Sequence, residues 1–187
     1  MKISIYLTGG LMIVSAILGI GFGYYLTPEY QVSMYERNSM DLGRADRTFD
    51  LRYINAMISH HRGAMLLAEQ LLTNTTRPEM KELAQNILKD EPGAIAELYA
   101  WKKEWYQDTR SVRDPIVANL GPADEKFDLR FLNAIIAHHE VGVMMTEETR
   151  QKSSRVEILN NADAVEAFLT NGLEALKGIR SDWYNIK

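Results

Sequence analysis

Apolar residues recur every three or four positions through most of the chain, and nowhere do they alternate long enough to make a strand. From Asp46 to about Leu72 this spacing puts Phe49, Tyr53, Ala56, Met57, His60, Ala64 and Leu67 on one helical face, with Asp46 as the N-cap. "TNTTRP" breaks the pattern, and Pro78 suits the first turn of a second helix that runs to Tyr106. Pro92-Gly93 falls inside that helix and predicts a kink or short break. "SVRDPIVANLGPAD" reads as a linker. Asp124 then caps a third helix ending near Thr149. "SSRVEILNNAD" reads as a loop with one helical turn, and a fourth helix runs from about Ala162 to Tyr184.

The pattern is written twice. "LGRADRTFDLRYINAMISHH" begins at Leu42 and "LGPADEKFDLRFLNAIIAHH" at Leu120, an offset of 78 residues without a gap. The same offset brings Trp105-Tyr106 onto Trp183-Tyr184, Ile95 onto Leu173 and Leu98 onto Leu176. A match held in register that far implies two copies of one helical hairpin, 46–106 and 124–184. Two amphipathic hairpins bury their stripes most simply against each other, so the expected fold is all-α, a four-helix bundle over 46–187.

The N-terminus follows a different pattern. Between Lys2 and Glu29 there is no charged residue, and at about 1.5 Å per helical residue residues 1–27 are long enough to cross a bilayer. Gly19 and Gly23 form a small-residue pair, and Tyr24 and Tyr25 suit the headgroup level. A cleaved signal peptide ending at Ala16 is the alternative, but the apolar run continues well past that point. The segment therefore reads as a single transmembrane helix, joined to the bundle by a polar connector, 28–45. Lys2 before the span and Glu29 after it favour a cytoplasmic N-terminus and an exported body, periplasmic or otherwise extracytoplasmic.

Composition narrows the chemistry. The formal net charge of −4 and the absence of any basic block argue against a nucleic-acid partner. There is no cysteine, which removes disulfide and thiolate chemistry and fits an oxidising compartment. Nothing resembles a phosphate loop, a nucleophile triad or paired catalytic carboxylates, so no catalytic residue is assigned; a redox or oxidase enzyme stays open as the least favoured reading.

Histidine is the residue that stands out. The chain has four, placed as His60-His61 and His138-His139 at equivalent points of the two hairpins. Neighbours on a helix point about 100° apart, so at most one of each pair faces any single centre. Equivalence of the hairpins places the pairs near a pseudo-twofold axis, able to face each other. Imidazole binds copper, zinc, nickel and iron, and thioether favours Cu(I). With Met57 and Met145 nearby and cysteine absent, His60, His61, His138, His139, Met57 and Met145 make a copper-like ligand set. The Glu-x-x-His pattern of a di-iron bundle is missing, because His60 and His61 have Met57 and Ile58 three residues earlier. The competing structural reading makes the histidines cross-bundle hydrogen-bonders and the methionines core filler.

Other repeated residues have plain readings. Asp50 and Asp128 sit in first turns and favour the helix dipole, or, across hairpins, orient a histidine. Arg52 and Arg130 pair with acidic neighbours, Asn55 and Asn133 tie the hairpins, and Trp105 and Trp183 plug the bundle ends.

The stretch "FDLRYINAMISHHRGAMLLAEQLL" resembles the signature of the DUF305 family. Phe49, Met57, His60, His61 and Ala64 fit it in the first hairpin, followed by Glu97 and a Trp101 or Trp105 end. Phe127, His138, His139, Gly142 and Met145 fit it in the second. Leu67 and Ile135 stand where each hairpin would offer its other methionine, so each keeps one. The resemblance implies a ferritin-like bundle and, from members that are exported copper-binding proteins, a role in copper sequestration, transfer or tolerance. The alternative is a non-enzymatic accessory subunit docking onto a larger membrane complex.

Overall fold

A computed structural model describes residues 41–186. The expected membrane span, 1–27, and most of the connector lie outside the described residues. Among the described residues no helix is long and apolar enough to cross a membrane, and there is no strand.

Four helices account for the body: α1 (Phe49–Asn74), α2 (Pro78–Tyr106), α3 (Phe127–Lys152) and α4 (Val156–Tyr184). They are 26, 29, 26 and 29 residues long, and every boundary in the second hairpin lies 78 residues after its counterpart. α1 packs on α2 and α3 on α4, while the hairpins meet chiefly through α1 and α3. These inner helices carry most of the core. α3 is buried almost continuously from Phe127 to Val141 except at its solvent-facing Glu140 and partly open Leu129 and Arg130, whereas α2 buries only Met80, Ala84, Leu98 and Lys102.

The helix starts differ from the sequence expectation. α1 begins at Phe49, not Asp46, because Asp46 organises a turn in front of the helix. Its carboxylate accepts the amide and hydroxyl of Thr48, each at 2.8 Å. Arg52 reaches back from the first turn of α1 to the same carboxylate at 3.0 Å and to the Leu42 and Arg44 carbonyls, each at 2.5 Å. Gly43, at φ +81°, lets the chain curl under the guanidinium. Asp124, Arg130, Leu120 and Gly121 (φ +77°) repeat this clasp before α3. Thus Arg52 and Arg130 do pair with acidic neighbours, and they also gather backbone carbonyls.

α4 begins at Val156, six residues earlier than the polar "NNAD" led us to expect. The Ser153 hydroxyl accepts the Arg155 amide at 3.2 Å, as the Thr75 hydroxyl accepts the Arg77 amide at 3.2 Å before α2. Ile158 and Ala162 then enter the core where Met80 and Ala84 do in α2. Asn161, which looked like loop, accepts the Tyr53 hydroxyl at 2.7 Å. α2 runs through Pro92 without a break. Pro92 and Gly93 both face solvent, where the lost backbone hydrogen bond is replaced by water most cheaply.

A reciprocal latch joins the hairpins at both ends. Arg77, just before α2, lies 4.3 Å over the Trp183 ring and pairs with Asp128 at 3.2 Å. Arg155, just before α4, lies 4.2 Å over Trp105 and pairs with Asp50 at 3.4 Å. Each hairpin's turn is thereby docked on the open end of the other. Asp50 and Asp128 serve this latch and do not orient a histidine, and the two tryptophans act as cation platforms as well as end plugs.

Candidate metal centre

Two apolar clusters divide the core. One gathers Phe49, Tyr53, Met57, Val141 and Met145, the other Leu67, Leu71, Phe127, Phe131 and Leu132. On both inner helices the histidines fall in the level between them. There a cavity of about 250 Å³ is lined from all four helices. His60 and His61 come from α1, His138 and His139 from α3, Asp90 and Glu91 from α2, and Phe168 and Leu169 from α4.

The inner histidines stack on each other. The rings of His60 and His138 lie 3.8 Å apart at 19°. His60 Nε2 donates to the His138 carbonyl at 3.1 Å, which leaves its buried Nδ1 as a lone pair with no protein partner. This closeness needs small residues opposite. A Cβ on Gly142 would stand 2.6 Å from His60 Nε2 and 2.4 Å from Leu169 Cδ1, and one on Gly63 would stand 3.2 Å from His138 Cε1.

The outer histidines differ from one another. His61 Nδ1 meets the Glu91 carboxylate at 2.5 Å. His139 sits against Gly172 and beside the exposed Phe168 ring, 6.4 Å between centroids. At the 78-residue offset Asp90 and Glu91 correspond to Phe168 and Leu169, so one side of the cavity is acidic and the other apolar.

Burial keeps three of the imidazoles, those of His60, His138 and His139, uncharged. It pushes His60 well below its ordinary value, helped by neighbouring His138 and His61. Burial likewise pushes His138 down to about 3, with His139 and His61 adding to it, and His139 down to about 4. Neutral imidazole is the form that ligates metal.

The structure thus brings His60, His61, His138 and His139 together. It places Met57 and Met145 fully buried in the adjoining apolar cluster, not in the cavity wall. Among the described residues no three His, Asp or Glu side chains already surround one point. The donors fit a soft or borderline cation chemically, and gathering them round one ion requires the stacked rings to turn. Glu97, the acidic residue matched by resemblance, faces solvent. Sequence reasoning missed Glu91; it lies 30 residues from His61 and has no acidic counterpart in the second hairpin.

No curated protein matches the chain. Among solved structures, CopM in the Cu(I)-bound form is similar at 28% identity and a TM-score of 0.63, covering 71% of this chain and 95% of that one. CopM in the apo form is 29% identical at a TM-score of 0.62, over 71% and 96% of the two chains. CopM in the Cu(II)-bound form is 27% identical at 0.61, over 72% and 97%. Residues 50–118, which include the first histidine pair, match the family model "Domain of unknown function (DUF305)".

Proposed function

We propose that this chain is a membrane-anchored, exported copper-binding protein that sequesters or transfers the ion and performs no catalysis on it. The carrying observation is the convergence of four imidazoles, three of them held neutral by burial, from two hairpins on one cavity. The likeness to CopM, solved with Cu(I), Cu(II) and Ag bound, supports copper over other imidazole-binding metals. His60, His61, His138 and His139 are the donors the geometry favours. Met57 lies one turn before His60, and Met145 two turns beyond His138, so their thioethers join the set only if they turn out of the apolar cluster. The uncharged run over 1–27 supports anchoring, and the positions of Lys2 and Glu29 support an exported body.

Metal analysis of the full-length chain purified from membranes tests the reading, followed by Cu(I) titration against a chromogenic chelator. Near-stoichiometric binding is expected, lost when all four histidines become alanine. Met57→Leu and Met145→Leu, which conserve volume, separate a thioether contribution from a packing one. Equal binding by the four-histidine variant refutes the proposal.

A further inference from the structure

The two outer histidines occupy equivalent positions, yet their surroundings have diverged. His61 meets a carboxylate, while His139 meets aliphatic and aromatic carbon. Glu91 is held on α2, immediately before Pro92, with its side chain 17% exposed, and the His61 side chain is 12% exposed. The contact at 2.5 Å is therefore largely shielded from water, where a charge-assisted hydrogen bond is strongest. An ionised carboxylate only accepts, so the proton between them belongs to Nδ1 of His61. That fixes the neutral ring as the Nδ1–H tautomer and puts the lone pair on Nε2. This Nε2 is buried and has no partner in the protein. Carboxylate on one ring nitrogen and an open lone pair on the other is the arrangement by which proteins orient a metal-binding imidazole and raise its basicity.

We propose that Glu91 is the positioning residue for a metal donor at His61 Nε2, so that the two halves of the cavity offer unlike donors: an oriented, carboxylate-backed imidazole from α1 and one without a carboxylate partner, His139, from α3. This rests on the copper-binding reading above and concerns how the site is built. The Glu91 carboxylate does not itself touch the ion. It fixes which nitrogen of His61 is available and compensates part of the cation's charge through the ring. Leu169 fills the corresponding place in the second hairpin, where it packs against Gly142 and has nothing to offer His139.

Two measurements on the full-length chain test the proposal, each on wild type, Glu91→Gln and Glu91→Ala. In metal-free protein, nitrogen–proton correlation NMR of 15N-labelled histidine reads the tautomer of each ring. His61 is expected as Nδ1–H in wild type and as predominantly Nε2–H in Glu91→Ala, while His139 is the same in both. Cu(I) competition should then show affinity falling by about 10–100-fold in Glu91→Ala. Glu91→Gln, which keeps an acceptor oxygen but no charge and is nearly isosteric, should keep the tautomer and lose affinity by a smaller factor. Wild-type binding with an unchanged tautomer or unchanged affinity in Glu91→Ala overturns the role of Glu91 alone. Failure of wild type to bind overturns the copper reading, and with it the donor role of His61.

Discussion

Replacing helical glycines by alanine, one at a time, separates two opposing effects in this bundle. In a helix interior alanine is favoured over glycine by about 1 kcal/mol. Gly178, on the open face of α4, has nothing within 4 Å of the place an alanine methyl would take, so Gly178→Ala should be stabilising by nearly that amount. Gly142 has the same intrinsic preference but no room. Its Cβ would meet Leu169 Cδ1 at 2.4 Å and His60 Nε2 at 2.6 Å. Both neighbours are buried and one is hydrogen-bonded, so overpacking of about 1–3 kcal/mol is expected. Gly142→Ala should therefore be neutral to about 2 kcal/mol destabilising, and should lie about 1–3 kcal/mol below Gly178→Ala. Gly63 is intermediate, with its nearest neighbour at 3.2 Å, and its alanine variant should fall between them. Urea unfolding followed by circular dichroism reads the difference; with m of about 2 kcal/mol/M for a domain of this size, the extremes should differ by roughly 0.5–1.5 M in midpoint. A Gly142→Ala midpoint at or above that of Gly178→Ala would show that α1 and α3 do not approach as closely as described.

Further outcomes follow from the latch and from the buried histidines. Arg77→Ala and Arg155→Ala should each cost about 1 kcal/mol, combining a cation–π contact with a half-exposed ion pair, and the costs should add because the latches lie at opposite ends. Urea midpoints of the two single variants and the double variant check this; no loss in either single variant refutes the latch. In metal-free protein, the unfolded chain takes up protons on histidine below about pH 6.5, while folded His138 and His139 resist to about 3 and about 4. Stability is then complete above about pH 6.5 and falls as pH drops toward those values. By pH 5 the loss should reach roughly 2 kcal/mol per such histidine. Urea midpoints at pH 7.5 and pH 5 should show this, and the four-histidine alanine variant should lack that component; an equal decline in both proteins would refute it.

The sequence was readable where a physical period or an offset left a signal twice. Apolar spacing located the helices, and the 78-residue offset put His60-His61 and His138-His139 at matching points of the two hairpins. Boundaries were less legible because side chains set them from a distance. Arg52 draws Asp46 into a turn ahead of α1, and Tyr53 recruits Asn161 into α4, although asparagine by itself favours loops. The latch had a usable signal, since Arg77 and Arg155 stand 78 residues apart, but arginine before a helix suggests no partner until the hairpins are docked. Glu91 had none: its counterpart is Leu169, so comparison of the halves hides it.

The latch also bears on symmetry. Two identical hairpins docked by such reciprocal contacts would form a homodimer, and any residue near the axis would appear on both sides of the cavity. Joining the hairpins by the segment 107–126 removes that constraint and keeps the partner permanently close at hand. One side can then carry Asp90 and Glu91 while the other carries Phe168 and Leu169. A symmetric pair would have to place such carboxylates on both sides, or on neither, around the same four rings. A single chain can set a charged wall against a greasy one, giving the cavity a direction.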